Sequence, residues 1–364
     1  MKIAIVHDYL NQFGGAERVV AALNEIWPNA PVFTSIYNRK ALPDIFQKMD
    51  IRVSFMQKFP FIFKLFKYYL LFYPLAFENF NLDGYDVILS SSSAFAKGIK
   101  KRDNQLHICY CHSPMRFVWR YEDYVKKEAI PSALKKIMPI ILKPLKKWDL
   151  GAVDNVDFFI ANSSNVAKRI EKTYNRKSVI IYPPVETDIF RPSINQSDYF
   201  LLLSRLNSYK RIDIVIEAFR RLDLPLKVIG EGPCRKYLES VAGKNIEFLG
   251  RVNDRKMAKY LSCCRALIFP GEEDFGIVPL EAMSAGRPVI AYQAGGALET
   301  VVQGQTGLFF KEQNSDSLIK ALDKFQFMGF DRKIIRAHAK KFDKENFKKK
   351  IEQFVEEKAR SFGI

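Results

Sequence analysis

The chain has no stretch of about 18 or more uncharged apolar residues, so no membrane-spanning helix is expected. Cysteine is scarce and odd in number. Cys109, Cys111, Cys234, Cys263 and Cys264 form no Cys-x-x-Cys pair, so a disulfide framework is not expected and a reduced, cytoplasmic setting is the economical reading. The four histidines lack metal-ligand spacing, which argues against structural zinc. Met1-Lys2 leads straight into Ile3-Ala4-Ile5-Val6, leaving no long apolar export segment, and none is expected. No Gly-x-Gly-x-x-Gly follows the first apolar run, which weakens an NAD-dependent oxidoreductase. No RNA-recognition signature, helix-turn-helix pattern or zinc-finger spacing appears, so nucleic acid is not an expected partner. Internal repeats and low-complexity segments are missing too.

Positive charge is in excess. The 364 residues carry a formal net charge of +17, which points to anionic lipid, nucleic acid or a phosphorylated substrate. The length suits two domains, and 48% hydrophobic residues can give each a core. Short apolar runs recur as in a parallel sheet: 3–6, 86–90, 106–111, 158–161 and 179–182, then 199–203, 226–229, 246–252, 266–270, 289–291 and 306–310. Between the two sets, Pro183-Pro184-Val185-Glu186-Thr187-Asp188-Ile189-Phe190-Arg191-Pro192 breaks both periodicities and reads as a linker. The expected domains are 1–185, joined by a C-terminal helix at about 345–364, and 186–344.

The most informative stretch runs from Phe269 to Val289. An apolar strand ends at Pro270, a polar loop with Gly271 and Gly276 follows, and helical spacing runs from Val278 to Ala285. Glu273 falls on the loop at a strand's carboxyl end, and Glu281 lies in the helix. The amides of Phe275, Gly276, Ile277 and Val278 open that helix and make an anion site. Two carboxylates beside an anion site suit a nucleotide sugar; a solvated acidic loop has the same spacing.

Arg205 and Lys210 likewise leave a strand just before a helix, where a guanidinium, an ammonium and free amides can grip a diphosphate. In a chain this basic, two solvated cations are the alternative. His112 follows the strand 106–111, a place fit for chemistry but also for an ordinary polar residue. Gly14-Gly15 precedes the helix 16–25 and either lets a ligand approach the backbone or serves a turn.

Glu273-x7-Glu281, Phe275-Gly276 and the tail Glu281-Ala282-Met283-Ser284-Ala285-Gly286-Arg287-Pro288-Val289 resemble the signature of the retaining glycosyltransferases of family 4. The resemblance implies the GT-B architecture: α/β, with two Rossmann-like domains facing across a cleft and the last helix crossing back onto the first. It implies that Arg205 and Lys210 hold the donor diphosphate, Glu281 the ribose, and Glu273 with residues 275–278 the sugar. It also implies that the Val252 backbone meets the nucleobase, that Gly15 contacts donor phosphates, and that His112 faces the sugar and stabilises its transition state. Asp8, Gly14 and Glu17 are the implied acceptor contacts. The cationic pair does the work of a metal, so neither a metal nor a cofactor is expected. His7-Asp8-Tyr9-Leu10 with Gly14-Gly15-Ala16-Glu17-Arg18 is similar to bacterial O-antigen and capsule mannosyltransferases, which implies GDP-mannose, with a UDP-sugar as runner-up.

Residues 55–80 are dense in aromatics and leucine, with Lys58, Lys64 and Lys67 interleaved. Further cations follow at Lys97, Lys100, Lys101, Arg102, Lys126, Lys127, Lys135, Lys136, Lys143, Lys146 and Lys147. Together they read as an amphipathic, basic surface for the cytoplasmic face of an anionic membrane, with a glycan on a polyprenyl diphosphate as acceptor. Internal packing or a dimer contact would use the same aromatics, and a non-catalytic lipid- or glycan-binding subunit is the rival from another class.

Overall fold

A computed structural model describes residues 1–121 and 132–364. Lys126 and Lys127 lie outside the described residues, as do the side chains of Lys135 and Lys136. The chain forms two compact units, Met1–Pro184 with Glu345–Ile364, and Val185–Lys344.

The first unit holds seven strands: β1 (Ile3–His7), β2 (Val32–Thr34), β3 (Ile51–Val53), β4 (Val87–Ser92), β5 (Leu106–Cys111), β6 (Phe158–Ala161) and β7 (Ser178–Ile180). They pair parallel in the order β3-β2-β1-β4-β5-β6-β7. Side chains alternate across a strand. Ile3 and Ile5 accordingly join one core, with Val19, Val20 and Leu23 of the helix Gly15–Ile26. Ala4 and Val6 join the core on the other face, with Phe77 and Phe95. The C-terminal helix Lys344–Phe362 covers the first of these faces through Phe347, Ile351, Phe354 and Val355.

The second unit holds β8 (Phe200–Leu203), β9 (Leu226–Ile229), β10 (Ile246–Gly250), β11 (Leu267–Phe269), β12 (Val289–Tyr292) and β13 (Gly307–Phe310). All pair parallel, in the order β10-β9-β8-β11-β12-β13. Both units are therefore Rossmann-like sheets, the form taken by apolar runs that alternate with amphipathic helices. The chain enters and leaves the second unit side by side: Val185 N donates to Phe342 O at 3.2 Å, and Lys344 N to Val185 O at 3.0 Å.

Residues 55–78 form short helical turns, among them Ile62–Leu65 and Tyr73–Glu78. One surface expectation changes. The basic run at 97–102 is largely neutralised. Lys97 is buried, donating to Asp149 and, at 2.7 Å, to Ala94 O. Asp149 also accepts from Trp119 Nε1 at 2.6 Å and from Tyr174 Oη at 2.9 Å. Burial disfavours the Lys97 ammonium, but the Asp149 carboxylate outweighs it and holds the ammonium charged, its pKa raised. Lys100 pairs with Glu78 at 3.2 Å, Lys101 with Asp157 at 3.0 Å, and Arg102 with Asp83.

His107 makes stability depend on pH. Its ring is buried in β5, with Nδ1 2.8 Å from Asn155 O and Nε2 2.7 Å from Ser90 Oγ. Burial lowers its pKa to about 4, against the opposing pull of the Asn155 carbonyl. The unfolded ring takes a proton near 6.5, so this contribution is intact above that pH and is lost as the pH falls toward about 4. The shift corresponds to about 3 kcal/mol. Denaturant melts of the wild type should lose stability across this window, and His107→Gln should flatten that part of the profile. Parallel profiles for the two proteins would contradict the assignment.

Candidate functional site

In an open parallel sheet, ligands bind outside the carboxyl ends of the strands where the strand order reverses. In the second unit that point lies between β8 and β11, because β9 and β10 run to one side and β12 and β13 to the other. β8 leads into residues 204–211 and β11 into residues 270–276. Lys210 Nζ donates to Glu273 Oε1 across this switch point, joining residues 63 positions apart. The ammonium is 13% exposed and the carboxylate 27%, so the pair is reachable yet partly shielded from water. Arg205 is exposed and makes no ion pair among the described residues. Gln313 ties the two loops together: its Nε2 donates to Pro270 O at 2.9 Å, and its Oε1 accepts from Arg211 at 3.4 Å.

Glycines set these loops by close approach. A Cβ on Gly230 would fall 1.8 Å from Ser204 O, and one on Gly232 would fall 2.5 Å from Leu206 O. The turn after β9 therefore packs backbone to backbone against the Arg205 loop, and Leu206 N donates to Glu231 O at 3.0 Å. Likewise a Cβ on Gly296 would fall 2.1 Å from Phe275 O, and Gly296 N donates to Glu273 O at 2.8 Å. The loop bearing Glu273 thus has a fixed backbone on which its carboxylate is displayed.

Gly276 caps the helix Ile277–Ser284, whose first-turn amides have no acceptor within the helix. Phe275 is buried, and Ile277 and Val278 are partly exposed. Glu281 sits in the same helix and is 3% exposed. Val252 is partly exposed, just beyond the end of β10. Arg287, from the same motif, is a structural brace: its buried guanidinium donates to Ser262 O at 2.8 Å and Asn195 O at 3.1 Å.

In the first unit the reversal lies between β1 and β4. Asp8 follows β1 and is buried there, and the expectation that it holds acceptor hydroxyls gives way. One oxygen accepts from Ser93 N, Ser93 Oγ and Ala94 N at 2.6, 2.8 and 3.0 Å, the other from Phe95 N and Ala96 N at 2.7 Å each. Five donors saturate a carboxylate with about four lone-pair sites. Glu17, in the helix that follows, is buried too. It is 3% exposed, accepts from Gly14 N at 2.8 Å and lies 3.9 Å from His7 Nε2. Burial works to raise its pKa, yet the hydrogen bond and charge of His7, with the Gly14 amide, hold it below the ordinary carboxylate range. Gly15 is exposed at the helix start and Gly14 is partly exposed before it. His112 is half-buried after β5, with Nε2 2.8 Å from Ser91 Oγ and its carbonyl accepting from Asn162 Nδ2 at 3.1 Å. His7 and Ser91, which pattern reasoning passed over, are buried behind it. Among the described residues, no group of three or more His, Cys, Asp or Glu side chains is placed to hold a metal ion.

The chain resembles known proteins. Residues 13–189 match the family described as Glycosyltransferase Family 4, and residues 184–342 match Glycosyl transferases group 1. The alpha-1,3/1,6-mannosyltransferase ALG2 of Dictyostelium discoideum is 26% identical over 61% of this chain and 63% of its own length. The O-antigen chain mannosyltransferase C of Escherichia coli is 25% identical over 69% of this chain and 75% of its own. The chain spans about half to two thirds of the length of the first curated relatives it matches. Among solved structures, Anabaena Alr3699/HepE in complex with UDP covers 98% of this chain and 100% of its own, with a TM-score of 0.73 at 17% identity. That likeness shows the fold, GT-B.

Proposed function

The chain belongs to the glycosyltransferases that these two family models describe, and from that premise we propose that it is a retaining hexosyltransferase that takes mannose from GDP-mannose. The observation that carries this reading is the Lys210–Glu273 pair at the switch point, on the loop that also bears the exposed Arg205. Arg205 and Lys210 bind the donor diphosphate and take up the charge of the departing nucleoside diphosphate, so no divalent ion is obligatory. The first-turn amides of Ile277–Ser284 add to this anion site. Glu273 accepts hydrogen bonds from the sugar hydroxyls, Glu281 from the ribose, and Val252 meets the base. His112 stabilises the sugar as positive charge develops on it. The acceptor attacks the face the diphosphate leaves, and a donor phosphate oxygen takes its proton.

Mannose is favoured by the two mannosyltransferase relatives. A UDP-sugar is the second reading, favoured by the UDP held in a protein of the same fold. A panel of GDP- and UDP-sugars, read by nucleoside diphosphate release without added metal, separates them. GDP-mannose should turn over fastest; release from UDP-sugars alone would overturn the donor.

The acceptor in this reading is a lipid-linked glycan at the cytoplasmic face of an anionic membrane. No helix among the described residues is long and apolar enough to cross a membrane. The support is a surface where Phe61, Tyr68, Leu71 and Leu75 are 75%, 72%, 51% and 53% exposed, with Lys58, Lys64 and Lys67 exposed among them. Phe61 projects from a left-handed backbone, φ 48°, which is costly for a bulky residue. The protein should sediment with anionic vesicles at low salt, and no pelleting would contradict this part.

A further inference from the structure

Behind His112 runs a line of buried polar groups that the donor site does not use. His7 Nδ1 lies 3.0 Å from Ser91 O and 3.1 Å from Ser91 Oγ. Ser91 Oγ lies 2.8 Å from His112 Nε2. At the far end, His7 Nε2 is 3.9 Å from Glu17, whose other oxygen accepts from Gly14 N at 2.8 Å. The His7 and Glu17 side chains are each 3% exposed, and Ser91 is fully buried.

The chemistry of these atoms fixes the protons. A backbone carbonyl only accepts, so His7 Nδ1 facing Ser91 O must carry hydrogen. Ser91 Oγ can then only accept from His7, and its single hydrogen is left for His112 Nε2. His112 Nε2 is thereby an acceptor, and the ring proton of His112 sits on Nδ1.

We propose that His7 and Ser91 are a positioning relay that holds His112 in the tautomer with its proton on Nδ1, so that His112 meets the sugar as a hydrogen-bond donor and not as a base. The proposal rests on the role given to His112 in transfer. His7 and Ser91 touch no substrate in this scheme; they act through His112.

Two measurements test it. The chain has four histidines, so long-range ¹H–¹⁵N correlation spectra of the intact protein resolve each ring. His112 should show an Nδ1–H, Nε2-acceptor pattern that Ser91→Ala converts to a tautomer mixture. In kinetics, His7→Leu should lower kcat about 10- to 100-fold with little change in donor KM. His7→Asn, whose amide can replace the Nδ1–H donor, should restore most of it, whereas a purely packing role would favour leucine. An Nε2–H tautomer in the wild type, or equal kcat for Leu and Asn, would overturn the relay. Full transfer by His112→Ala would instead overturn the role of His112 itself.

Discussion

Glu273→Gln is expected to lower sugar transfer by about 10²–10³-fold while nucleoside diphosphate binding is held or tightened. The substitution keeps size and shape but removes the charge that engages Lys210. In the ligand-free site that carboxylate competes with a diphosphate for the ammonium. Neutralising it releases Lys210 to the phosphates, so affinity for the bare nucleotide does not fall. Transfer falls because a neutral amide accepts sugar hydroxyl hydrogen bonds weakly and does not offset positive charge on the sugar. Calorimetric titration with nucleoside diphosphate beside a turnover assay separates the effects. Loss of both together, with an unchanged melting temperature, would contradict the division of labour.

Lys210→Ala should do the reverse at the binding step. A charge-assisted hydrogen bond contributes about 1.5–3 kcal/mol, which is about 10- to 150-fold in affinity. The variant also leaves Glu273 facing an anionic ligand without its partner, which adds repulsion, so about 100-fold weaker binding is expected. Lys210→Ala with Glu273→Gln should recover part of this loss because the repulsion goes. A double variant that binds no better than Lys210→Ala would show that the two groups are not coupled.

The sheets were largely legible because their strands are apolar runs of four to six residues between turn signals. The exceptions have physical reasons. β2 and β3 are only three residues long, and β3 is mostly exposed, so neither carries a hydrophobic run. The glycines of Gly230-Glu231-Gly232 serve a backbone contact with the Arg205 loop, which only the fold can reveal. Lys97 reads as surface charge in any window around it, because Asp149 lies 52 positions away. Asp8 and Glu17 had the right chemistry for hydroxyl ligands and the right place beside a strand end. The amides and ring that occupy them come from residues 93–96, from the Gly14 turn and from His7. Nothing local to either residue shows that His7 meets Ser91, 84 positions away.

The central claim is that one anion site, formed by the loops after β8 and β11, receives the nucleotide's diphosphate. Hydrogen–deuterium exchange with and without GDP, and again with UDP, addresses it most directly. Slowed exchange at residues 204–211 and 271–278, lost in Lys210→Ala, is the expected result. Protection confined to other segments, or none at saturating nucleotide of either kind, would contradict it.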